Sequence, residues 1–497
     1  MKKILFLIIG CLSGTFSQAQ ISRLGSDIEY KVSASGQFGT GEHTPFWQTA
    51  NQHGLAAIAN NSAYLRANLH RDTEADSLRR WRIGYGADFV APLGYSSHFI
   101  VQQAYAEASY RLLRLSIGQK ERWSEMKNPL LSTGGMTLGN NARPLPQVRL
   151  ETSDFFVIPR TKDWLYLKGH LAYGWFTDNK WQRDFNQGNE KATYTANTLF
   201  HSKAGYLRIG NLDRLPLVLT GGVEMVCQFG GSIWNRNIGG ESADGAYHFK
   251  NGIKEYLQAF VPSGSDVVDG DNPNVMGNTL GSYLARLDYH GKGWSASAYG
   301  EHMFEDHSMM GFDFAWKDFL WGGEINLPKN RFVSTLVYEH MRTTDQSGPI
   351  LLFAGNKVHN IGGQDNYYNH NIYGAYQHAG FVMGNPCLLS PIYNEDGRIC
   401  TYDNRILMNH IGLSGKPHDD ISYRVLLTFE KSLGTYFYPH DNPRHGTFLL
   451  VEANYSPHRI KGWNFSASFG QNAGSLLGRS TGGMLTASYS GIIKGNR

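Results

Sequence analysis

One short segment carries side chains that suit the recognition of a sugar. Asn140 and Asn141 each present an amide that both donates and accepts hydrogen bonds, and Arg143 presents a rigid fork of donors. Trp123, further upstream, offers an aromatic face on which a sugar ring could stack. Together these groups predict carbohydrate binding, with Arg143 recognising the carboxylate of a uronic or sialic acid.

The same segment also has a structural interpretation. Asn-Asn is typical of turns, and Pro144 and Pro146 would stiffen the entry to the next strand. Arg143 would then pair with a carboxylate such as Glu121 or Glu151. Both interpretations stay open at this point.

A second group of candidate residues lies between 356 and 378, where aromatic, histidine and asparagine residues are dense. Aromatic rings supply apolar platforms, while amides and imidazoles supply neutral hydrogen bonds, and sugar sites use this combination. Tyr367, Tyr368 and His370 are the predicted binding residues here. An ordinary surface loop has a similar composition, so that alternative also stays open.

Two further patterns concern cations and covalent bonds. The run from Asp266 to Asn274 has oxygen ligands and a turn glycine, but it lacks the distal Glu of a calcium loop. A solvated acidic turn is therefore favoured over a cation site, and no cofactor is predicted.

Cys387 and Cys400 lie in one polar stretch and could form a disulfide, which would leave Cys227 as a free strand residue.

The sequence lacks the familiar motifs of catalysis. It has no Gly-x-Ser-x-Gly, no His-Glu-x-x-His and no phosphate-binding glycine loop. His302 and His340 stand beside carboxylates, but adjacent residues of a strand point to opposite faces. We therefore predict a protein that is not an enzyme, with a hydrolase embedded in a barrel as a third hypothesis.

The elements that must position these residues are strands in which apolar and polar residues alternate. From Ile421, for example, every second residue as far as Phe429 is apolar. Most such runs are about nine to thirteen residues long, which is enough to cross a bilayer at a tilt. About eighteen runs begin near Asp27, Ser62, Arg80, Phe99, Leu112, Leu145, Asp163, Asn197, Leu217, Thr279, Gly293, Leu320, Arg331, Arg405, Ile421, Gly446, Gly462 and Gly483.

The connections between these runs alternate in length. They are short after even-numbered runs and mostly long after odd-numbered runs, at 39–61, 122–144, 177–196, 228–278 and 343–404. All long loops therefore lie at one end, as in outer-membrane barrels with short periplasmic turns, whereas a soluble sandwich has no reason to separate its loops. We predict an all-β fold, a transmembrane antiparallel β-barrel of about 18 strands.

The chain begins with a predicted signal peptide. Lys2 and Lys3 precede an apolar run, and small residues favour cleavage after Ala19, with a lipidated Cys11 as the alternative. Residues 20–497 would then form a single barrel domain in the outer membrane. Cleavage removes the two lysines, so 44 of the 46 basic residues remain against 42 acidic ones. This near-neutral charge does not indicate binding to nucleic acid.

The segment that holds the candidate sugar ligands resembles the Wzi family of capsule-assembly outer-membrane proteins. The resemblance is carried by Leu138-Gly139-Asn140-Asn141-Ala142-Arg143-Pro144-Leu145-Pro146, by the preceding Ser132-Thr133-Gly134-Gly135-Met136, and by Thr44-Pro45-Phe46-Trp47 with Ala50-Asn51 and Gly54. It extends from about residue 27 to the C-terminus and is strongest between 100 and 180.

The resemblance implies an eighteen-stranded barrel that acts as a lectin for capsular or other surface polysaccharide and helps to anchor or assemble the capsule. Its partners would be that polysaccharide, outer-membrane lipid and an export machinery. Some members close the barrel with an N-terminal helical segment, but here Ile28 already begins a strand. A loop that folds inward would be the substitute.

The alternative function is a sugar- or anion-selective porin. Charged residues in the lumen would then set its selectivity. The predicted lumen charges are Arg80, Arg82, Arg114, Lys120 and Arg424 against Asp88, Glu224, Glu430 and Glu452.

Overall fold

The computed structural model describes residues 24–494, with gaps at 77–79, 187–188, 190–191, 235–245, 262–263, 270–271, 276, 306–316, 329, 347, 352–357 and 362–364. The predicted signal peptide lies outside the described residues. So do the side chains of the run from Asp266 to Asn274. The signal peptide and the solvated acidic turn therefore stay predictions.

Eighteen long antiparallel strands form the wall of the molecule. In chain order they are β1 (Ile28–Gly41), β2 (Ser62–Arg71), β3 (Trp81–Leu93), β4 (Ile100–Tyr110), β5 (Leu113–Gln119), β6 (Pro146–Thr152), β7 (Leu165–Trp175), β8 (Leu199–Ile209), β9 (Leu217–Phe229), β10 (Asn278–His290), β11 (Ser295–Glu305), β12 (Phe319–Asn326), β13 (Thr335–Arg342), β14 (Ile406–His418), β15 (Ile421–Gly434), β16 (Pro439–Tyr455), β17 (Trp463–Gly474) and β18 (Ser480–Ile493). A further two-residue strand, Phe156–Val157, extends β6 along β7.

The sheet is closed. Each strand pairs with the next one in the chain, and β1 also pairs with β18, where Ile28 lies opposite Ile493. Because the sheet is closed, the wall has no unpaired strand edge, and a bilayer would not tolerate such an edge. The predicted eighteen-stranded transmembrane barrel is thereby confirmed.

Side chains alternate between the two faces of the wall. On β1 the outward Val32 is 53% exposed and the inward Ser33 is 6% exposed. On β15 the outward Phe429 is exposed, whereas the inward Thr428 is buried. An apolar outer face around a polar inner face is the pattern of a barrel that faces lipid.

The connections differ in length at the two ends of the barrel. Residues 111–112 and 419–420 make tight turns at one end, and most connections at the other end are long. Three connections at the long-loop end are short, at 94–99, 435–438 and 475–479. The second of them is short because β16 begins at Pro439 and not at the predicted Gly446. Residues 439–445 are mostly exposed, so no alternation of polarity marks them as a strand.

The remaining elements all lie in the connections. Helices α1 (Phe46–Thr49), α2 (Asn179–Asn186) and α3 (Ile253–Phe260) are short, and among the described residues no helix is long and apolar enough to span a membrane. Two 3₁₀ turns and several short strands complete the list: Thr73–Asp76, Pro391–Tyr393, Tyr194–Ala196, Ser232–Trp234, Ala246–His248, Gly264–Asp269, Asn272–Val275, Gly348–Leu351, Val358–Ile361, Asn369–His370, Gly374–Ala375, Gln377–His378 and Phe381–Val382.

Segments of three connections from the long-loop end fold into the lumen. We call them plug loop A (42–61), plug loop B (120–145) and plug loop C (365–405). In loop A, the ring of Phe46 lies 4.6 Å from that of Phe448 on β16. One apolar cluster joins residues of all three loops to inward residues of the wall. The hydrophobic core of this barrel therefore lies in its lumen.

Candidate functional site

A buried carboxylate on the wall holds plug loop B. Glu339 on β13 accepts a hydrogen bond from the Ser132 hydroxyl at 2.6 Å, and from the N–H and hydroxyl of Thr133 at 2.7 Å each. The Tyr299 hydroxyl also donates to it, at 2.8 Å. Because a buried carboxylate is stable only where donors replace its water, these bonds fix the loop to the wall.

A second wall carboxylate holds the same loop. Glu301 on β11 accepts a hydrogen bond from the Met136 N–H at 2.8 Å and pairs with Lys127 at 2.6 Å. The Lys127 ammonium also donates to the Gly134 carbonyl at 2.9 Å. Two carboxylates on strands that are distant in the chain therefore fix the path of loop B.

Two of the predicted sugar-binding tyrosines lie inside the plug. Tyr367 and Tyr368 of loop C are completely buried, and burial raises the pKa of both hydroxyls well above the usual value. The Tyr368 hydroxyl donates to the Met136 carbonyl, and that of Tyr376 donates to the Thr137 carbonyl at 3.0 Å. These contacts join loop C to loop B and favour a structural role over contact with a surface sugar.

The Asn-Asn pair lies where the three plug loops meet. The Asn141 side chain accepts from the Asn51 N–H at 3.0 Å and donates to the Val382 carbonyl at 2.9 Å. The Asn140 carbonyl accepts from the His53 N–H at 2.9 Å. Both asparagines are buried, so their geometry favours the structural interpretation.

Trp123 and Arg143, which the sequence also predicted, line one inner cavity of about 120 Å³ between loop B and strands β6 to β8. The imidazole of His53 lies edge-on to the Trp123 ring, with centroids 4.9 Å apart. Nε of Arg143 is buried and has no hydrogen-bond partner among the described residues, and burial lowers the pKa of its guanidinium. The guanidinium of Arg143 therefore lines the same cavity as the indole ring of Trp123 and the imidazole ring of His53.

The predicted ion pair of Arg143 is not formed with either candidate carboxylate. Glu121 pairs with Arg66 at 3.0 Å, and Glu151 pairs with Arg149 at 2.5 Å. This part of the structural interpretation is wrong, because neighbouring wall arginines already engage both carboxylates.

A groove of about 540 Å³ opens at the long-loop end of the barrel. One side of it is formed by loop C, with the predicted His370 and with Asn369 and Asn371. The other side is formed by the hairpin between β15 and β16, where Phe437 and Tyr438 are 66% and 55% exposed. We call this the outer groove.

Hydrogen bonds fix the aromatic side of the outer groove. The rings of Tyr402 and Tyr438 meet edge-on at 5.7 Å, and Arg398 donates to the Tyr438 hydroxyl at 3.2 Å. The Tyr402 hydroxyl donates to Asp396 at 2.6 Å, and burial together with this bond raises the pKa of Tyr402. Fixed aromatic surfaces lose little freedom when they bind a sugar ring.

The amide side of the groove is also organised in advance. Asn369 donates to the Thr401 carbonyl at 2.8 Å and accepts from the Thr401 N–H at 2.7 Å. Asn371, two residues further on, is exposed at the groove. Loop C therefore presents amide groups from a braced backbone.

The disulfide considered for loop C is not formed. Among the described residues Cys227, Cys387 and Cys400 form no disulfide. Cys387 is completely buried near Glu430, and burial raises the pKa of its thiol. Cys400 lies beside the Asn394 amide, and burial raises the pKa of its thiol to about 11. The two thiols lie in separate surroundings.

Most of the predicted lumen charges have partners. Ion pairs or hydrogen bonds join Asp88 to Arg66, Arg82 to Glu74, Arg114 to Glu151, Lys120 to Glu107, Arg424 to Glu452 and Glu224 to Tyr206. Arg80 is exposed, and Glu430 is buried near Cys387. Paired charges stabilise the wall and leave little net field for selecting ions.

A serine and a histidine meet across strands β7 and β8. His170 Nε2 lies 2.8 Å from the Ser202 hydroxyl, but in the described part of the chain no carboxylate hydrogen-bonds the other ring nitrogen. A hydrolytic triad needs that third group to orient the histidine. Nor do the described side chains form a group of three His, Cys, Asp or Glu that could hold a metal ion.

The closed wall and filled lumen define the class of this protein as a β-barrel of the outer-membrane type. No protein-family model matches the chain, and no curated protein matches its sequence. Among solved structures it is similar to Wzi of Escherichia coli, described as a carbohydrate-binding β-barrel involved in group 1 capsule assembly. The TM-score is 0.57 and the identity 14%, over 95% of this chain and 86% of that one.

Other solved barrels match less well. OprD of Pseudomonas aeruginosa gives a TM-score of 0.46 at 9% identity, over 94% of both chains. OccAB2 of Acinetobacter baumannii gives 0.47 at 7% identity, over 94% of this chain and 98% of that one. At such identities the likeness to Wzi supports the fold alone, and membership of the Wzi family stays a prediction from the motifs.

Sequence reasoning missed several residues of these sites. The adjacent aromatic residues Phe437 and Tyr438 carried a usable signal, because exposed aromatic residues in a turn indicate a binding surface. His53 carried none, since its place beside Trp123 depends on how loops A and B pack together.

Proposed function

We propose that this chain is a closed outer-membrane barrel that binds surface polysaccharide at its outer groove and so helps to anchor or assemble a capsule. The observation that supports the proposal is the pairing of exposed rings, Phe437 and Tyr438, with the amide and imidazole groups of Asn371 and His370 across one groove. Aromatic faces beside neutral hydrogen-bonding groups suit sugar rings. A solved barrel of similar fold is described as carbohydrate-binding, so the fold itself is compatible with the proposed role.

Binding of this kind gains its strength from repetition. One groove contacts only a few sugars, so each engagement is weak. A polysaccharide repeats the same unit, and many barrels share one membrane, so simultaneous engagement raises the overall avidity. Binding of this kind needs no catalytic step, and the membrane serves only to anchor the barrel.

The porin alternative has one observation in its favour. A vestibule of about 650 Å³, lined in part by Arg208, Arg286 and Asp288, opens at the short-turn end. The plug loops and their apolar cluster lie between this vestibule and the long-loop end. We expect the purified barrel in planar bilayers to show no steady ion conductance, whereas an open pore would conduct continuously.

The proposed function is tested in cells that make the polysaccharide. Deletion of the gene should release polysaccharide into the medium, and the wild-type gene should restore its retention. The double variant Phe437→Ala/Tyr438→Ala should fail to restore it at equal surface abundance. Phe332→Ala is the matched control, because Phe332 is 73% exposed in a turn at the opposite end. Full retention by the double variant would refute the proposal.

A further inference from the structure

The inner cavity collects more bases than acids. Besides two histidines, its lining contains five lysines and arginines against three acids, which are Lys120, Arg122, Arg143, Arg149 and Lys168 with Glu125, Glu151 and Glu224. In a confined space an excess of cationic groups attracts an anion, because nearby water screens the charges poorly.

Three of the five bases already have acidic partners. The pairs are Arg149 with Glu151 at 2.5 Å, Lys168 with Glu125 at 2.9 Å and Lys120 with Glu107 at 2.8 Å. Arg122 and Arg143 form no ion pair with any described residue. The excess charge of the cavity therefore belongs to these two guanidinium groups.

Arg122 is held by neutral acceptors only. Its guanidinium donates to the Lys120 carbonyl and to the Ser116 hydroxyl, each at 3.1 Å. Burial and the nearby Arg149 lower the pKa of Arg122 to about 10, so the group still carries its charge near pH 7. Its place in the protein is thus fixed without an ion pair, and the nearby Glu151 and Glu107 offset its charge only in part.

Several polar atoms of the cavity lining lack partners. The donor Arg143 Nε, the ring nitrogen His53 Nε2 and the acceptors Gln147 Oε1 and Glu224 Oε2 are each buried and have no hydrogen-bond partner among the described residues. Buried polar groups are nearly always satisfied, so a cluster of unsatisfied ones points to a missing partner. Trp123, 53% exposed beside His53, adds an aromatic wall to the same place.

The one acid of the lining without a basic partner is engaged through one of its two oxygens. Glu224 accepts a hydrogen bond from the Tyr206 hydroxyl at 2.6 Å. It therefore belongs to the Tyr206 side of the cavity and forms no ion pair with Arg122 or Arg143. Other acids act on the two guanidinium groups only without direct pairing, Glu151 and Glu107 on Arg122 and Asp178 on Arg143.

The cavity is next to the vestibule at the short-turn end. Glu125 lines both spaces, and Lys168, its ion-pair partner, lines the cavity. Short turns face the periplasm in outer-membrane barrels. A ligand would therefore enter from the periplasmic side and pass the Lys168–Glu125 pair.

We propose that the inner cavity binds an oxyanion, the carboxylate or the phosphate of a small molecule, through Arg143 and Arg122, with Trp123 as the wall against which the rest of the molecule packs. The proposal goes beyond polysaccharide binding at the outer groove and does not depend on it. Guanidinium groups suit both oxyanions, because their paired donors match two oxygens.

The test is calorimetric titration of the detergent-purified full-length barrel with glucuronate, inorganic phosphate and neutral glucose. We expect at least one of the two anions to bind at least tenfold more tightly than glucose, and the preferred anion identifies the source of the oxyanion. Arg143→Gln combined with Arg122→Gln should weaken this binding at least tenfold. Arg459→Gln, at an exposed arginine that lines neither the inner cavity nor the outer groove, is the matched control and should change nothing.

Two results would overturn the proposal. One is that neither anion binds better than glucose, and the other is that the double variant binds as the wild type does. Should that variant fail to fold, the deciding measurement is quenching of the Trp123 fluorescence. This fluorescence is obtained by subtracting the emission of the Trp123→Phe variant from that of the wild type. Iodide should quench that difference more strongly than caesium does, and equal quenching would contradict an anion site. A failure of the outer groove to bind polysaccharide would leave these results unchanged.

Discussion

Thr133 of plug loop B donates both its backbone N–H and its hydroxyl to one oxygen of Glu339 on the barrel wall, each at 2.7 Å. The two residues are far apart in the chain, and this contact shows how the lumen is filled. Wall carboxylates act as acceptors for the loops, so the plug is part of the fold and not a separate element laid into it.

The first prediction concerns this contact. Glu339→Gln replaces one acceptor oxygen by an amide group that faces donors, so buried donors lose their partner. We expect the free energy of unfolding in urea to fall by about 3 kcal/mol or more, and transient ion conductance to appear in bilayers. Glu74→Gln is the control, because Glu74 is 64% exposed and its pairing with Arg82 contributes little. Unchanged stability and a silent bilayer would show that Glu339 does not hold the plug.

The second prediction separates the two interpretations of the Asn-Asn pair. Asn141→Ala removes bonds to Asn51 and Val382, which should cost about 1–3 kcal/mol and make loop C more sensitive to limited proteolysis. Asn371→Ala, at the exposed groove, should leave stability unchanged and weaken polysaccharide binding. The opposite outcome, in which Asn141→Ala keeps its stability but loses binding, would favour direct sugar contact at Asn141.

The third prediction is a pH dependence that arises in loop C. His378 donates from Nδ1 to the Arg143 carbonyl at 2.8 Å, and its Nε2 lies 3.0 Å from the Thr177 hydroxyl. Burial lowers the pKa of His378, which the nearby Asp178 only partly opposes. The unfolded chain therefore binds more protons below about pH 6.5, and His378 reduces stability as the pH falls through that range.

The measurement compares wild type with His378→Gln between pH 7.5 and 5.5. A glutamine can donate and accept in the same place but does not titrate. We expect wild type to lose about 1 kcal/mol more stability than the variant over this interval. Equal losses would mean that His378 is not held neutral in the folded protein.

Much of the fold could be predicted from the sequence, because lipid imposes a simple rule on each strand. Alternation of polar and apolar residues located all eighteen strands, from β1 to β18. The rule fails where a strand leaves the membrane, and so the sequence predicts the start of β16 at Gly446, whereas the strand begins at Pro439. Beyond the bilayer both faces of a hairpin meet water, and no pattern remains.

The sites were harder to predict, because they depend on contacts between distant loops. Asn140, Asn141, Tyr367 and Tyr368 have the chemistry of sugar ligands, but the packing of the plug buries them. Trp123 and Arg143 do come together, although in an inner cavity and not on the surface. Residue type predicted what these groups can bind, and only the folded chain decides what can reach them.

The proposed function depends most on the outer groove. The direct measurement is titration of the detergent-purified barrel with polysaccharide from the surface of its own cells, for wild type, for Phe437→Ala/Tyr438→Ala and for the control Phe332→Ala. We predict saturable binding by wild type and control, weakened at least tenfold in the double variant by the loss of two aromatic surfaces. Binding that survives the double variant, or no binding by the wild type, would contradict the account.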